Sequence, residues 1–261
     1  MENKHSFIIS AFGESPFLEE CVQSLLTQTE QSPISVITST DNSHIRNIAT
    51  KYQLRLLINN DGGIGKDWNF ALHNSQTPLV TIAHQDDIYL QQYASTITHS
   101  IENHPDALIA FTDYREIRSG SIAASRNKNL LIKSIMLRPL ATLPQVKWLR
   151  RGLLSLGNPI CCPSVTYNLE LIGRNFEFDT RLQTNLDWKA WEDLSKMDGG
   201  FIYIPEVLIN HRIHENSVTS STISENIRRS EDLVILKLFW PTPIAKAIHN
   251  FYKTSEDANQ L

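Results

Sequence analysis

The chain has 261 residues, of which 41% are hydrophobic and 20% charged, with a formal net charge of −4. That composition excludes a disordered polypeptide, and the length allows one large domain, or a domain with a smaller appendage, around a sizeable core. The slight acidity gives no electrostatic ground for a nucleic-acid partner. Cys21, Cys161 and Cys162 are too few and too unevenly spaced for a disulfide framework, so buried thiols in a reducing compartment are expected. Met1 to His5 is polar and leads straight into a strand. With no run of about 18 uncharged apolar residues either, the expectation is a soluble, cytoplasmic protein without signal or membrane span.

Ser6 to Ala11 reads as a first strand. Ser15-Pro16 predicts an N-cap and first helical position, and the apolar stripe Phe17, Cys21 and Leu25, with Leu18, Val22 and Leu26, carries the helix to about Gln28. Ile34 to Thr38 is a second strand, Asp41-Asn42-Ser43 a turn or cap, Ile45 to Tyr52 a short helix, and Leu54 to Ile58 a third strand. Asn59-Asn60-Asp61-Gly62-Gly63 is a loop, followed by a helix over Gly65 to Asn74. Leu79 to Ala83 is a continuous apolar run suited to a strand buried on both faces. A helix over Tyr89 to Asn103 and a strand over Leu108 to Thr112 follow. From Tyr114 to Pro144 the periodicity weakens and the composition turns basic, which predicts an irregular excursion. Beyond it come a helix over Gln145 to Leu156, a short strand over Ser164 to Tyr167, and a helix over Trp188 to Met197 started by Asp187. A strand over Phe201 to Ile204 closes at Pro205, and an amphipathic helix over Ser224 to Phe239 stops at Pro241.

Strands alternating with helices predict an α/β fold with a single, mainly parallel sheet flanked by helices. The simplest order puts the first strand centrally, the second and third to one side and the fourth to the other. Ser10-Ala11, Thr40-Asp41 and Asp86-Asp87 would then face one crevice at the switch point, where open α/β sheets bind ligands. Adjacent carboxylates at a strand's end suit Mg²⁺ or Mn²⁺ bridging to phosphates, although an aspartate there also serves as a helix cap. Asp41 has the same two readings. Lys66, after the glycine-rich turn, is placed to meet a phosphate or to stand in solvent. The Gly62-Gly63-Ile64-Gly65 run lacks the full dinucleotide fingerprint and does not follow the first strand, which disfavours a Rossmann dehydrogenase.

Phe7 to Ala11, Phe17 to Thr29, Thr38 to Ser43 and His84-Gln85-Asp86-Asp87 resemble the opening and the Asp-x-Asp motif of family 2 glycosyltransferases of the GT-A fold. Leu186-Asp187-Trp188, Ile204-Pro205-Glu206-Val207-Leu208 and His211-Arg212-Ile213-His214-Glu215-Asn216-Ser217 resemble its later signatures in the expected order. The resemblance covers roughly residues 6 to 220. It implies a GT-A domain over 1–220, with a nucleotide-binding half to about 113, an acceptor-binding half over about 114–220, and a C-terminal helical extension over 221–261.

The implied activity is metal-dependent, inverting transfer of a sugar from a nucleotide-diphosphate donor, a UDP-sugar in the first instance, to a hydroxyl of a saccharide or lipid-linked saccharide in surface glycan synthesis. The implied cofactor is Mn²⁺ or Mg²⁺, held by Asp87 directly, by Asp86 shared with the ribose, and by His214. Ser10, Ala11, Thr40, Asp41 and Lys66 would line the nucleotide, and Asp187 would be the general base. His84 and Thr40 replace acidic members of the family's motifs, which leaves a non-catalytic nucleotide- or glycan-binding protein as the rival reading. The basic excursion with Lys147, Arg150 and Arg151 also suggests a peripheral contact with the inner face of an anionic membrane, against a merely solvated face.

Overall fold

Alternation along the first strand sorts its side chains to two sides, and this organises the molecule. The computed structural model describes residues 4–118, 120–122, 128–213 and 222–259. In chain order the first half comprises β1 (His5–Ala11), α1 (Leu18–Leu26), β2 (Ile34–Thr38), α2 (Ser43–Lys51), β3 (Arg55–Ile58), α3 (Ile64–His73), β4 (Leu79–His84), β5 (Ile88–Tyr89) and α4 (Tyr93–Glu102). The second half comprises β6 (Ala107–Arg118), β7 (Ser121–Ile122), α5 (Lys128–Thr142), α6 (Lys147–Leu154), β8 (Val165–Asn168), α7 (Leu169–Ile172), α8 (Leu186–Leu194), β9 (Gly200–Ile213), α9 (Thr222–Phe239) and α10 (Thr242–Asn259).

One sheet runs β3-β2-β1-β4-β8-β6-β9-β5, with β7 paired to β6. The predicted order of the first four strands, all parallel, is the observed one. Phe7, Ile9 and Ala11 pack with α1, α2 and α4 on one side, through Leu18, Val22, Ile45, Tyr93 and Ile97. Ile8, Val80 and Ile82 face the other side, against Trp68 and Leu72 of α3, Trp191 of α8 and Ile235 and Leu236 of α9. Both faces of the central strands are therefore covered, which is why Leu79 to Ala83 reads as mostly apolar sequence, with only Thr81 polar.

The second half departs from the sequence reading in ways with identifiable causes. The fifth predicted strand, to which the sequence assigns no neighbour, begins β6, and β8 inserts between it and β4, antiparallel to both. The predicted excursion over Tyr114 to Pro144 is largely ordered, as the end of β6, the β6–β7 hairpin and α5. Helical periodicity was hidden there because α5 carries apolar residues on both faces and contains Pro139. The predicted helix over Tyr89 to Asn103 starts only at Tyr93, because Ile88 and Tyr89 pair with Asn210 and Ile209 of β9.

Pro205 does not close a strand. β9 runs on to Ile213, with Pro205 and Glu206 exposed in a bulge between the Thr112–Ile204 and Asp113–Val207 pairs. A missing N–H is tolerated at such a bulge. Pro241 likewise ends α9 but leads directly into α10.

Candidate active site

The crevice is built where the carboxyl ends of β1, β2 and β4 lie level, Ser10 opposite His84 and Ala11 opposite Thr38. Three loops leave these ends and lock together through their polar side chains. Gln85 accepts from the Phe12 N–H at 3.0 Å and donates to the Phe12 carbonyl at 3.1 Å. Thr40 Oγ1 accepts from the Gly13 N–H at 2.6 Å, and Asn42 donates to the Gly13 carbonyl at 3.0 Å. Gly13 turns the chain at φ 63°, a left-handed conformation that glycine adopts without a side-chain clash. Phe12, 63% exposed, stands free above this junction.

The Asp86-Asp87 corner is held from two sides. Asp86 accepts from Ser15 Oγ at 2.7 Å, so Ser15 serves the crevice rather than capping α1, whose cap position is Phe17. Asp87 is 1% exposed and accepts from the Arg212 N–H at 2.9 Å and from His211 Nδ1 at 2.9 and 3.1 Å. Burial opposes ionisation of Asp87, but the His211 charge and hydrogen bond, His84 and the Arg212 N–H outweigh it and hold the carboxyl below its usual range. Burial lowers His211 in turn, and Asp87 more than offsets that, so the imidazole is held above its usual value. Neither aspartate caps a helix, because Ile88 enters β5.

Arg212 was not legible as a site residue. Its Nε donates to the Asp86 carbonyl at 3.0 Å, its guanidinium pairs with Glu20 at 2.5 Å and it lies 4.1 Å over the Phe17 ring. It thereby ties the corner to α1, and only the continuation of β9 past Pro205 brings it there. His84 stacks on Trp68 with centroids 5.3 Å apart, and its buried Nε2 has no hydrogen-bond partner among the described residues. Burial holds the His84 imidazole below its usual value.

Of the remaining predicted residues, Ser10 is half-buried and Ala11 is 1% exposed at the strand end. Asp41 pairs with Arg46 at 2.5 Å, while the cap of α2 is Asn42, which accepts from the Ile45 N–H at 2.9 Å. Lys66 is exposed on the first turn of α3. Asp67 beside it is buried and accepts from Ser39 and Asn59, each at 2.8 Å, joining the loops after β2 and β3. His214 lies outside the described residues.

Asp187 sits one residue inside α8, not at its cap, which is Asn185. Its carboxylate accepts from the Trp188 N–H and from Asn158 Nδ2, both at 2.7 Å. Burial raises its pKa, and these two donors with Arg228 and Lys133 only partly oppose that. Helix α8 is clamped at both ends. Glu231 of α9 accepts from the Gln183, Thr184 and Asn185 N–H groups at 2.7–3.0 Å. At the other end Arg150, fully buried, donates to the carbonyls of Ser195, Met197 and Gly199. Arg151 pairs with Glu192 and stacks on Phe239, so neither arginine belongs to the basic surface expected from the sequence. A Cβ on Gly65 would collide with Leu186, so α3 begins directly against the residue before Asp187. Burial, with smaller contributions from Asp87 and Asp187, holds the Cys161 thiol well above its usual value.

Among the described residues no three His, Cys, Asp or Glu side chains converge as a ready metal site. The Asp86 and Asp87 carboxylates are nevertheless a hard oxygen donor pair, and nucleotide-bound Mg²⁺ or Mn²⁺ takes only one or two protein carboxylates, the rest being phosphate and water. As oxygen donors the pair fits such a cation, with half-buried Asp86 the accessible one and Asp87, 1% exposed and already accepting from His211 and Arg212, set behind it.

Open α/β sheets bind their ligands in the crevice at the switch point, which is where this chain places Asp86 and Asp87. The chain is a member of glycosyl transferase family 2, whose sequence profile matches residues 6–153. It is a glycosyltransferase. S. aureus TarS 1-349 shares the fold with a TM-score of 0.65 at 16% identity, covering 94% of this chain and 69% of that one. The mannosyltransferase PcManGT from Pyrobaculum calidifontis, solved with GDP-Man and Mn²⁺, has a TM-score of 0.66 at 13% identity, covering 99% and 76%. Glucosyl-3-phosphoglycerate synthase from Mycobacterium tuberculosis, solved with Mn²⁺, UDP and glucosyl-3-phosphoglycerate, has a TM-score of 0.61 at 13% identity, covering 90% of this chain and 80% of that one. No curated protein matches in sequence.

Proposed function

We propose that the chain is a divalent-cation-dependent, inverting glycosyltransferase that uses a nucleoside-diphosphate sugar, a UDP-sugar in the first instance, to extend a saccharide or lipid-linked saccharide for a surface glycan. The observation that carries the reading is the Asp86-Asp87 pair at the switch point, anchored by Ser15, His211 and Arg212. Complexes of the structural relatives support the donor class: TarS with UDP-GlcNAc, PcManGT with GDP-Man and Mn²⁺. Residues 1–113 would bind the nucleotide, 114–220 the acceptor, with 221–261 as a helical extension.

In this reading Ser10, Ala11, Thr40, Asp41 and Lys66 line the nucleotide. Asp86 and Asp87, with His214, would hold the cation, which when bound supplies Lewis-acid stabilisation of the departing diphosphate. Asp187 takes the proton of the acceptor hydroxyl, whose oxygen bonds to the anomeric carbon from the face opposite the diphosphate. The carbon–oxygen bond to the diphosphate breaks with its electron pair on the leaving oxygen, inverting the centre. The raised pKa of Asp187 suits this role, since a base nearer neutrality accepts a proton more readily.

A melting-temperature screen tests the nucleotide and metal assignments. UDP with Mn²⁺ at about 100 times its dissociation constant stabilises by about 2.7 kcal/mol, a shift of about 2–4 °C for each kcal/mol. Asp87→Ala is expected to abolish the Mn²⁺-dependent part of that shift. No shift with UDP or GDP, or an Mn²⁺ dependence retained in Asp87→Ala, would refute the assignment.

A further inference from the structure

Helix α5 is apolar on opposite sides. Leu130, Leu137 and Leu140 turn inward and are at most 6% exposed, whereas Leu131, Ile132 and Ile135 are 52%, 55% and 54% exposed. At about 100° per residue, these three share one outward stripe with the exposed Lys128 and Arg138. Leu143, just past the helix, and Trp148, at the start of α6, continue the apolar exposure at 50% and 75%. A helix apolar all round is ordinarily covered, and no packing partner among the described residues covers this stripe.

Charge identifies the cover. The chain is net acidic, yet no Asp or Glu occurs between Glu116 and Glu170, a stretch that includes Arg118, Lys128, Arg138 and Lys147. Two copies meeting through this face would oppose like charges, whereas an anionic lipid surface would be complementary to them. Exposed tryptophan beside basic residues and aliphatic side chains is the composition of an interfacial segment. Lys147 is paired with Asp198 at 2.7 Å, Arg118 with Glu116 at 2.8 Å, and Arg150 is buried, so the contact rests on Lys128 and Arg138 of α5. We infer that the outward face of α5, with Leu143 and Trp148, seats the protein on an anionic lipid bilayer.

The test is co-sedimentation of the full chain with phosphatidylcholine vesicles containing phosphatidylglycerol, against vesicles of phosphatidylcholine alone, at about 0.1 M salt. Binding is expected only to the anionic vesicles and is expected to fall as salt rises. Lys128→Ala with Arg138→Ala should weaken it about 25-fold, at about five-fold for each basic residue near an anionic leaflet. Ile132→Ser with Ile135→Ser should weaken it by at least about ten-fold while leaving the melting temperature unchanged, since both side chains are exposed. If the serine pair does not fold, the alanine pair decides alone. Wild type left in the supernatant, or binding undiminished by these substitutions, would overturn the inference. So would a dimer in solution that the serine pair dissociates, which would assign the face to a second copy. Sugar transfer plays no part in the readout, so failure here leaves the proposed function standing.

Discussion

Asp187→Asn separates catalysis from structure at the proposed base. The wild-type carboxylate accepts from the Trp188 N–H and from Asn158 Nδ2, while Asn158 Oδ1 is buried without a partner among the described residues. In the variant the new amide oxygen can keep the Trp188 bond. Its NH₂ group can donate to Asn158 once that amide turns over and brings its unpaired oxygen round. Both hydrogen bonds survive, and a net hydrogen bond contributes only about 1 kcal/mol in any case, so the melting temperature should stay within a few degrees. Asp187→Ala, by contrast, strands two donors at about 1–3 kcal/mol each. Proton acceptance is lost in both, which typically costs about 10²–10⁴-fold in rate.

The assay is turnover of a nucleotide sugar with a validated acceptor, run beside nucleotide affinity and melting temperature. Asp187→Asn should lower turnover by at least about 100-fold with nucleotide affinity unchanged, because the base acts on the acceptor. A base must be ionised to work, so wild-type activity should fall as pH drops through the raised Asp187 pKa, placing the acid limb above the ordinary carboxylate range. The residual activity of Asp187→Asn should lack that limb. Transfer at the wild-type rate, or an unchanged acid limb, would refute the assignment and leave Asp187 as an anchor for the start of α8.

Arg212→Ala removes the contacts to Asp86 and Glu20 and the packing on Phe17, while its backbone N–H still reaches Asp87. Mn²⁺ affinity in the presence of nucleotide, measured by calorimetry, should fall about 10–100-fold, as for other residues that orient ligands; a loss of stability with affinity intact would make Arg212 merely structural. His5 bonds Ser32 and Thr81, and burial pushes its pKa down to about 3. The unfolded chain takes up this proton from about pH 6.5, so stability should fall with pH between there and about 3, by about 2 kcal/mol at pH 5. Denaturant unfolding of His5→Gln should show a correspondingly flatter dependence between pH 7 and 5, and identical slopes would sink the account.

The sequence alone determined the half of the molecule made of consecutive βα units. Unbroken apolar runs mark strands covered on both faces, and short crossovers leave few orders for them, so β3-β2-β1-β4 and the convergence of Ser10, Thr40 and Asp86 could be read from pattern. The later strands obey no such local rule. β8 enters antiparallel from a distant segment, and Pro205 reads as a stop because its effect depends on whether a bulge can absorb the missing N–H. Helix α5 stayed hidden because an apolar stripe facing outward erases the periodicity by which helices are found.

The same division runs through the site. Carboxylates at a strand end are legible, because the end of an apolar run fixes where they emerge. What holds them is not: His211 and Arg212 follow Asp87 by more than 120 positions and reach it only because β9 carries on to pair with β5. Asp187 could be named from its motif, but Asn158 beneath it, Gly65 against Leu186, and Glu231 and Arg150 at the two ends of α8 come from four other segments. A strand's side chains obey the pleat of their own backbone, whereas a buried carboxylate takes its donors from whatever the packed chain brings within about 3 Å, and only the tertiary structure decides that.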